Sequence, residues 1–363
     1  MRVKQLSVQN FRNIEKAVLK PADGVNVIFG ENAQGKTNLL ESIWLFTGCK
    51  SFRCRRDREM VGFDKPFAKN ELFFFAKGRE QNVCLYIDKK RTAMKNGVTL
   101  RSPAELIGDF YAVIFAPAHL SLVKEGPIFR RRFLDTALCQ LKPHYAKGLA
   151  RYNHTLAQRN ALLKDIQFHP ELFDTLDVWD EKLSGYGAAV VSERLKYTKL
   201  LSEEAGRIYE GLSGGSEELT VDYIHNTELY SDDPYEIREL LKKQLADTRR
   251  EDIANKITTT GPHRDDLRIQ IDALSARSYG SQGQQRSAAL ALKLSEANII
   301  KSVTGEDPVI LLDDVMSELD LNRQDYILNH IGGRQVFITC CDPTTVLRLC
   351  EGRTFHVEKG EVL

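Results

Sequence analysis

A chain of 363 residues with 42% hydrophobic and 28% charged residues has the balance of a folded globular protein, long enough for two lobes or one large α/β domain with an inserted subdomain. Apolar runs such as the one from Tyr111 to Ala116 are far too short to span a bilayer, and the charged, alternating start MRVKQLSVQNF argues against a secretory signal. A net charge of +1 and seven cysteines without metal-ligand spacing suit a cytoplasmic protein with free thiols and no obligatory acidic partner.

Strands are predicted over residues 4–8, 14–19 and 25–29, the last running into Gly30. Leu39, Leu40, Ile43 and Trp44 recur at helical spacing and predict a helix over 36–46. With further strands at 72–76, 82–87 and 112–115, this part reads as a mixed sheet closed around one helix.

From Tyr145 onward the period changes. Tyr145, Leu149, Tyr152, Leu156 and Leu163 share one helical face; beyond Phe168-His169-Pro170, residues Leu172, Leu176, Leu183, Val190, Tyr197 and Leu201 share another. Two antiparallel helices of at most about thirty residues each are expected. Strands at 219–224 and 267–271 bracket a helix near 235–245. A helix over 287–300, buried strands at 309–312 and 336–339, and a hairpin turning at Lys359-Gly360 complete the chain. The predicted organisation is an ATPase lobe over 1–140, a helical lobe over 141–250, and the C-terminal part of the head over 251–363.

The chemistry begins at GENAQGKT, residues 30–37, which fits G-x-x-x-x-G-K-[ST] and lies between a strand and a helix, as a P-loop must. Gly30, Glu31, Asn32, Ala33, Gln34 and Gly35 would turn backbone N–H groups onto phosphates, helped by the helix dipole. Lys36 would bridge the β- and γ-phosphates, and Thr37 would hold Mg²⁺. VILLDDV supplies an acid at a strand end: Asp313 placed to bind Mg²⁺ through water, Asp314 to polarise the attacking water.

SQGQQR, residues 281–286, opens a helix. It reads either as a capped helix with nothing bound or as an anion site built from Ser281, exposed N–H groups and a helix dipole. Two basic stretches, KSFRCRRDR with Lys50, Arg53, Arg55 and Arg56, and FRRR over 129–132, read either as solvated loops or as a surface meeting a phosphate backbone.

SQGQQR is similar to the signature loop of ABC-type ATPases, and SELD, residues 317–320, to their D-loop. Across most of the chain, NFRNI, NLLESI, GPIFRRRFLD, QRNALL, WD, GPHRDDL and LLDDVMSELD resemble the RecF family of bacterial DNA replication and repair proteins, with SMC-like heads as wider kin. This implies an α/β ABC-type ATPase head with an inserted helical subdomain. Two heads would sandwich ATP and Mg²⁺, with Arg12 and Asn13 near the nucleotide and Ser281, Gly283 and Gln284 reaching the partner's γ-phosphate.

It further implies an ATP-dependent homodimer on duplex and gapped DNA, weak DNA-stimulated hydrolysis, and work with RecR and RecO in loading RecA. Departures from the superfamily pattern are expected to slow hydrolysis. No Q-loop glutamine is evident, Ala118 and His119 stand where an acid is usual, Cys340-Cys341-Asp342 replaces a switch histidine, and Asp314 replaces a glutamate. The ABC-transporter subunit is the alternative, though it predicts the missing Q-loop and switch histidine.

Overall fold

Alternating burial along β1 (Arg2–Phe11), β4 (Ala68–Ala76) and β5 (Arg79–Ile87) gives each strand one apolar face and one face to solvent, the pattern of an antiparallel sheet covered on one side. With β2 (Ile14–Leu19), β6 (Arg91–Lys95) and β7 (Val98–Thr99) they form a sheet of order β2-β1-β4-β5-β6-β7. The computed structural model describes residues 1–54, 56–225 and 231–363.

A second sheet is built from strands with no polar face. In β8 (Ala112–Phe115), β12 (Val309–Asp313) and β13 (Val336–Cys340) every residue is buried, so they need cover on both sides and pair in parallel with β3 (Val25–Phe29). The order is β15-β14-β3-β13-β12-β8, where β14 (Gly352–Glu358) pairs with β3 in parallel and β15 (Glu361–Val362) folds back as the final hairpin. The single mixed sheet expected for the first part is therefore two sheets. Residues 25–29 and 112–115 leave their sequence neighbours for strands near the other end of the chain, because an all-apolar strand finds burial on both faces only there.

α1 (Lys36–Trp44), followed by a 3₁₀ turn, packs between the sheets. The short α2 (Pro117–Leu120) and α3 (Pro127–Leu141) lead to the hairpin α4 (Pro143–Asp165) and α5 (Leu176–Ser213). At 38 residues, α5 is longer than its apolar period predicts, and it ends at Gly214 in the left-handed region. A small sheet of order β11-β10-β9, from β9 (Leu219–Ile224), β10 (Asp266–Ile271) and β11 (Leu274–Ser275), lies against it with α6 (Pro234–Asp247) and α7 (Arg249–Asn255).

After α8 (Ala276–Tyr279), α9 (Gln282–Thr304) runs through the centre, with every residue from Ser287 to Ala297 buried. Such a helix belongs to a core, not a surface, and one apolar cluster continues from Val27 and Ile310 through Leu290 to Val190 and Val221. α10 (Leu321–His330) and α11 (Thr344–Leu347) finish the fold. Among the described residues no helix is long and apolar enough to cross a membrane.

Around α3, α4, α5 and β10 lies a buried ionic network that collects motifs far apart in sequence. Arg159 donates to Asp180 and Asp252, each at 2.7 Å, and to Thr258 at 2.8 Å. Arg194 reaches Asp135 at 2.8 Å and the Pro262 carbonyl at 2.7 Å. Arg130, 4% exposed, forms a two-pronged bond to Asp266 with both contacts at 2.7 Å. Arg131 caps the Asp265 carbonyl, and Arg132 the Ser51 carbonyl. FRRR is thus not a solvated loop: it is a helical segment in which Arg130 is spent on an internal acid and Arg131 on a carbonyl, while Arg132 stays exposed.

His263 sits in this network. Its Nε2 faces the Thr258 carbonyl at 3.0 Å and its Nδ1 faces the Tyr152 hydroxyl at 2.7 Å, so Nε2 carries the proton and Nδ1 accepts from Tyr152. Burial pushes the imidazole from 6.5 down to about 4. Below pH 6.5 the unfolded chain takes a proton that the folded chain refuses, so this contribution is whole above 6.5 and is lost as the pH falls towards 4. Melting curves from neutral pH down to about 4.5 should show that loss, and His263→Gln should make it smaller, leaving the part due to His119, which burial likewise lowers. A slope the same in both proteins would remove His263 from the account.

Candidate nucleotide site

The P-loop turns through three left-handed or near-left-handed residues: Gly30 at φ 148°, Ala33 at 66° and Gly35 at 116°. Close approach also demands the two glycines. A Cβ on Gly30 would lie 2.3 Å from the Val357 carbonyl oxygen, and one on Gly35 would lie 2.9 Å from Asn13 Oδ1. Lys36 Nζ, almost wholly buried, donates to the carbonyls of Gly30 at 2.6 Å and Glu31 at 2.7 Å.

The loop is braced from outside. Asn13 donates to the Ala33 carbonyl at 3.0 Å, and the C-terminal hairpin donates from Lys359 N to Gln34 Oε1 at 2.6 Å and from Gly360 N to Gln34 O at 3.0 Å. Gln34 is therefore held by its own chain's last strands, a role its place in the motif does not suggest.

Parallel pairing of β3, β13 and β12 brings their carboxyl ends level, where ligands of open α/β sheets bind. Asp313 Oδ1 accepts from Thr37 Oγ1 at 2.7 Å and from Thr339 Oγ1 at 2.9 Å. Thr339 also accepts from Asp314 N at 2.9 Å, so one hydroxyl orders both acids. Burial pushes the Asp313 carboxyl up, against the two hydroxyls and Arg53. A hydroxyl and a carboxylate oxygen side by side are hard donors of the kind a Mg²⁺ with several waters uses. Asp314 takes φ 51°, rare outside glycine, and Ser317 donates to its carbonyl at 2.8 Å.

Arg12 does not face the loop directly. It forks onto the fully buried Glu41 of α1 at 2.9 and 3.0 Å, where Ser51 and Arg53 converge as well, Arg53 at 3.6 Å. Arg53 also reaches Asn38 Oδ1 at 2.5 Å. Of the four candidate DNA contacts, Arg53 thus leans on the P-loop helix, Lys50 and Arg56 are exposed, and Arg55 lies outside the described residues.

Two places where superfamily residues are missing are filled otherwise. After β8, His119 Nδ1 accepts from Ala116 N at 2.9 Å, and burial pushes it down to about 3, with Lys293 and Arg132 adding to the shift. After β13, Cys341 Sγ lies 3.2 Å from Asn32 Oδ1 and 4.0 Å from Lys36 Nζ. All seven cysteines are free, and Cys341 alone is exposed.

The signature helix begins at Gln282, five residues earlier than the apolar period indicates, so Gly283 and Gln284 lie in its first turn. Ser281 is its N-cap, in a reciprocal capping box: Ser281 Oγ accepts from Gln284 N at 3.2 Å, and Gln284 Oε1 accepts from Ser281 N at 2.7 Å. Gln284 Nε2 donates to Glu217 at 2.7 Å, so that side chain is committed within its own chain while Ser281 stays exposed. The D-loop lies alongside, with Arg286 Nη1 donating to the Glu318 carbonyl at 2.8 Å.

Residues 1–96 match a family model described as an AAA ATPase domain. "DNA replication and repair protein RecF" of Agathobacter rectalis is 41% identical to the chain, covering 100% of it and 99% of that relative. The chain belongs to the RecF family. A solved structure of "the recombination mediator protein RecF-ATPrS in RecFOR pathway" is 39% identical, with a TM-score of 0.93 over 99% of this chain and 97% of that one. An Smc head domain from Pyrococcus furiosus is similar in fold alone, at 14% identity and a TM-score of 0.55. The ATPase-head fold is thus that of the RecF family, with the Smc head similar in fold, and the full-length match to repair proteins displaces the transporter alternative.

Sequence reasoning missed the parts that Thr339 and Glu41 play, and, although it predicted the terminal hairpin and noted Cys341, it did not foresee that the hairpin braces Gln34 or that Cys341 lies beside Asn32. Of these only Thr339 leaves a signal, as the one hydroxyl in the apolar run VFITC.

Proposed function

We propose that this protein is an ATP-dependent DNA clamp of recombinational repair and replication restart. ATP with Mg²⁺, held by Lys36, Thr37 and Asp313 of one head, is completed by Ser281 of a second, and the paired heads hold duplex DNA near single-strand gaps. Slow, DNA-stimulated hydrolysis, with Asp314 orienting water, then separates them. RecR, and RecO through it, are the partners with which RecA is loaded. The observation that carries this reading is the placement of Ser281: an exposed hydroxyl at the positive end of a 23-residue helix, beside the D-loop, presented outward.

Mg²⁺, when bound, neutralises charge on the β- and γ-phosphates. The protein's own part is to aim N–H groups, bury Lys36 under the loop, and hold two hydroxyls against Asp313. Lys50 and Arg56 are candidate phosphate contacts on the DNA side. Arg53, by its bonds to Glu41 and Asn38, serves the nucleotide side.

Gel filtration with and without ATP tests the reading. The wild type should shift from monomer to dimer with ATP, Lys36→Met should not shift, and Ser281→Arg should bind ATP yet remain a monomer. A Ser281→Arg protein that dimerises normally would sink the shared-site model.

A further inference from the structure

The D-loop and the signature loop are separate motifs more than thirty residues apart in sequence, yet besides the Arg286–Glu318 contact a second side chain, Arg323, ties the start of α9 to the D-loop. Asp320 caps α10, its carboxylate accepting from Arg323 N at 3.0 Å. The Arg323 side chain then turns back. Its Nη1 pairs with Asp320 Oδ2, its Nε donates to Ser287 Oγ at 2.9 Å, and its Nη2 donates to the Gly283 carbonyl at 3.2 Å. A planar guanidinium offers donors in a fixed fork, so three bonds to three residues set the position of α9's first turns against the D-loop.

Gly283 makes room for this. Its φ is not in the left-handed region, so backbone freedom does not account for a glycine here. A Cβ would instead stand 3.3 Å from Arg323 Nη2, close enough that the guanidinium would have to give by a few tenths of an ångström. Around the fork, Gln324 Nε2 donates to the Met316 and Leu319 carbonyls at 2.7 and 3.0 Å, and Arg286 holds Glu318. The D-loop is thereby tied at both ends.

We propose that Arg323 is a positioning residue that locks the D-loop to the signature-loop helix, so that both motifs meet a second copy of this chain as one unit. The inference rests on the head pairing proposed above. It asks nothing of Arg323 in binding nucleotide within its own head, since its partners lie on α9 and the D-loop.

Arg323→Lys keeps the charge and loses the fork, and Ser287→Ala removes one of the three anchors. In Arg323→Lys, ATP affinity of the monomer and KM should stay within about twofold, while ATP-driven dimerisation and kcat fall by roughly tenfold or more. Ser287→Ala should weaken dimerisation less, and the double variant should be no worse than Arg323→Lys alone, because both act through one contact. Wild-type dimerisation in Arg323→Lys, a matching loss of ATP affinity, or additive effects in the double variant would each overturn the proposal. Ser281→Arg separates the two levels: if it dimerises, the pairing itself is wrong; if it stays monomeric while Arg323→Lys dimerises normally, only the role of Arg323 is lost.

Discussion

Asp313→Asn should give a protein that melts no lower than the wild type and binds nucleotide, but hydrolyses ATP on the order of a hundredfold more slowly. The two halves of that expectation have one cause. Burial raises the Asp313 carboxyl, which means that the folded chain holds this negative charge at a cost. An asparagine keeps an oxygen to accept from Thr37 and Thr339 and removes the charge, so stability is kept or gained. The charge itself is what a metal-assisted phosphoryl transfer needs at that position. Single-turnover hydrolysis alongside calorimetry checks both halves, and turnover within a few-fold of wild type would take Asp313 out of the reaction.

Arg159→Ala should be among the most destabilising single changes in the region around α4 and α5. Arg159 is fully buried and bonds Asp180, Asp252 and Thr258. Its loss leaves Asp252, itself fully buried, without its arginine. Breaking a buried pair from one side costs roughly 3–5 kcal/mol, which for a chain of this size corresponds to a fall in Tm of about 4–7 °C. Asp180 keeps Arg249 at 2.7 Å, so the effect should centre on Asp252, and Asp252→Asn added to Arg159→Ala should recover part of it. A Tm within about 2 °C of the wild type would show that the network contributes specificity, not stability.

Elements with a strong period are legible in the sequence. The strands at 14–19, 25–29, 112–115 and 219–224 coincide with the observed ones, because alternation or an unbroken apolar run is itself the physical reason a strand is buried. β6 and β7 escape notice: RTAMK and VT are short and polar enough to pass for a loop. The capping box moves the start of α9 five residues upstream of its apolar stripe, since hydrogen bonding and not burial sets a helix end.

For the site the division has the same origin. The residues of the P-loop, Asp313, Asp314 and the Ser281 loop are announced by local spacing, because each motif needs its parts on one short turn. That FRRR and GPHRDDL are two sides of one internal network is not announced at all. Arg130 meets Asp266 across 136 residues, and charge in a sequence looks the same whether it will face water or an acid.

By itself, the sequence determined which segments could form strands and helices, where a phosphate could be cradled, and which family the chain resembles. Only the tertiary structure decided which strands became neighbours, that Thr339 would order both acids, that the last hairpin would brace Gln34, and that Arg323 would bind two motifs together. The reason is that a hydrogen bond is satisfied by whatever donor lies within about 3 Å, and proximity between distant residues is a property of the folded chain.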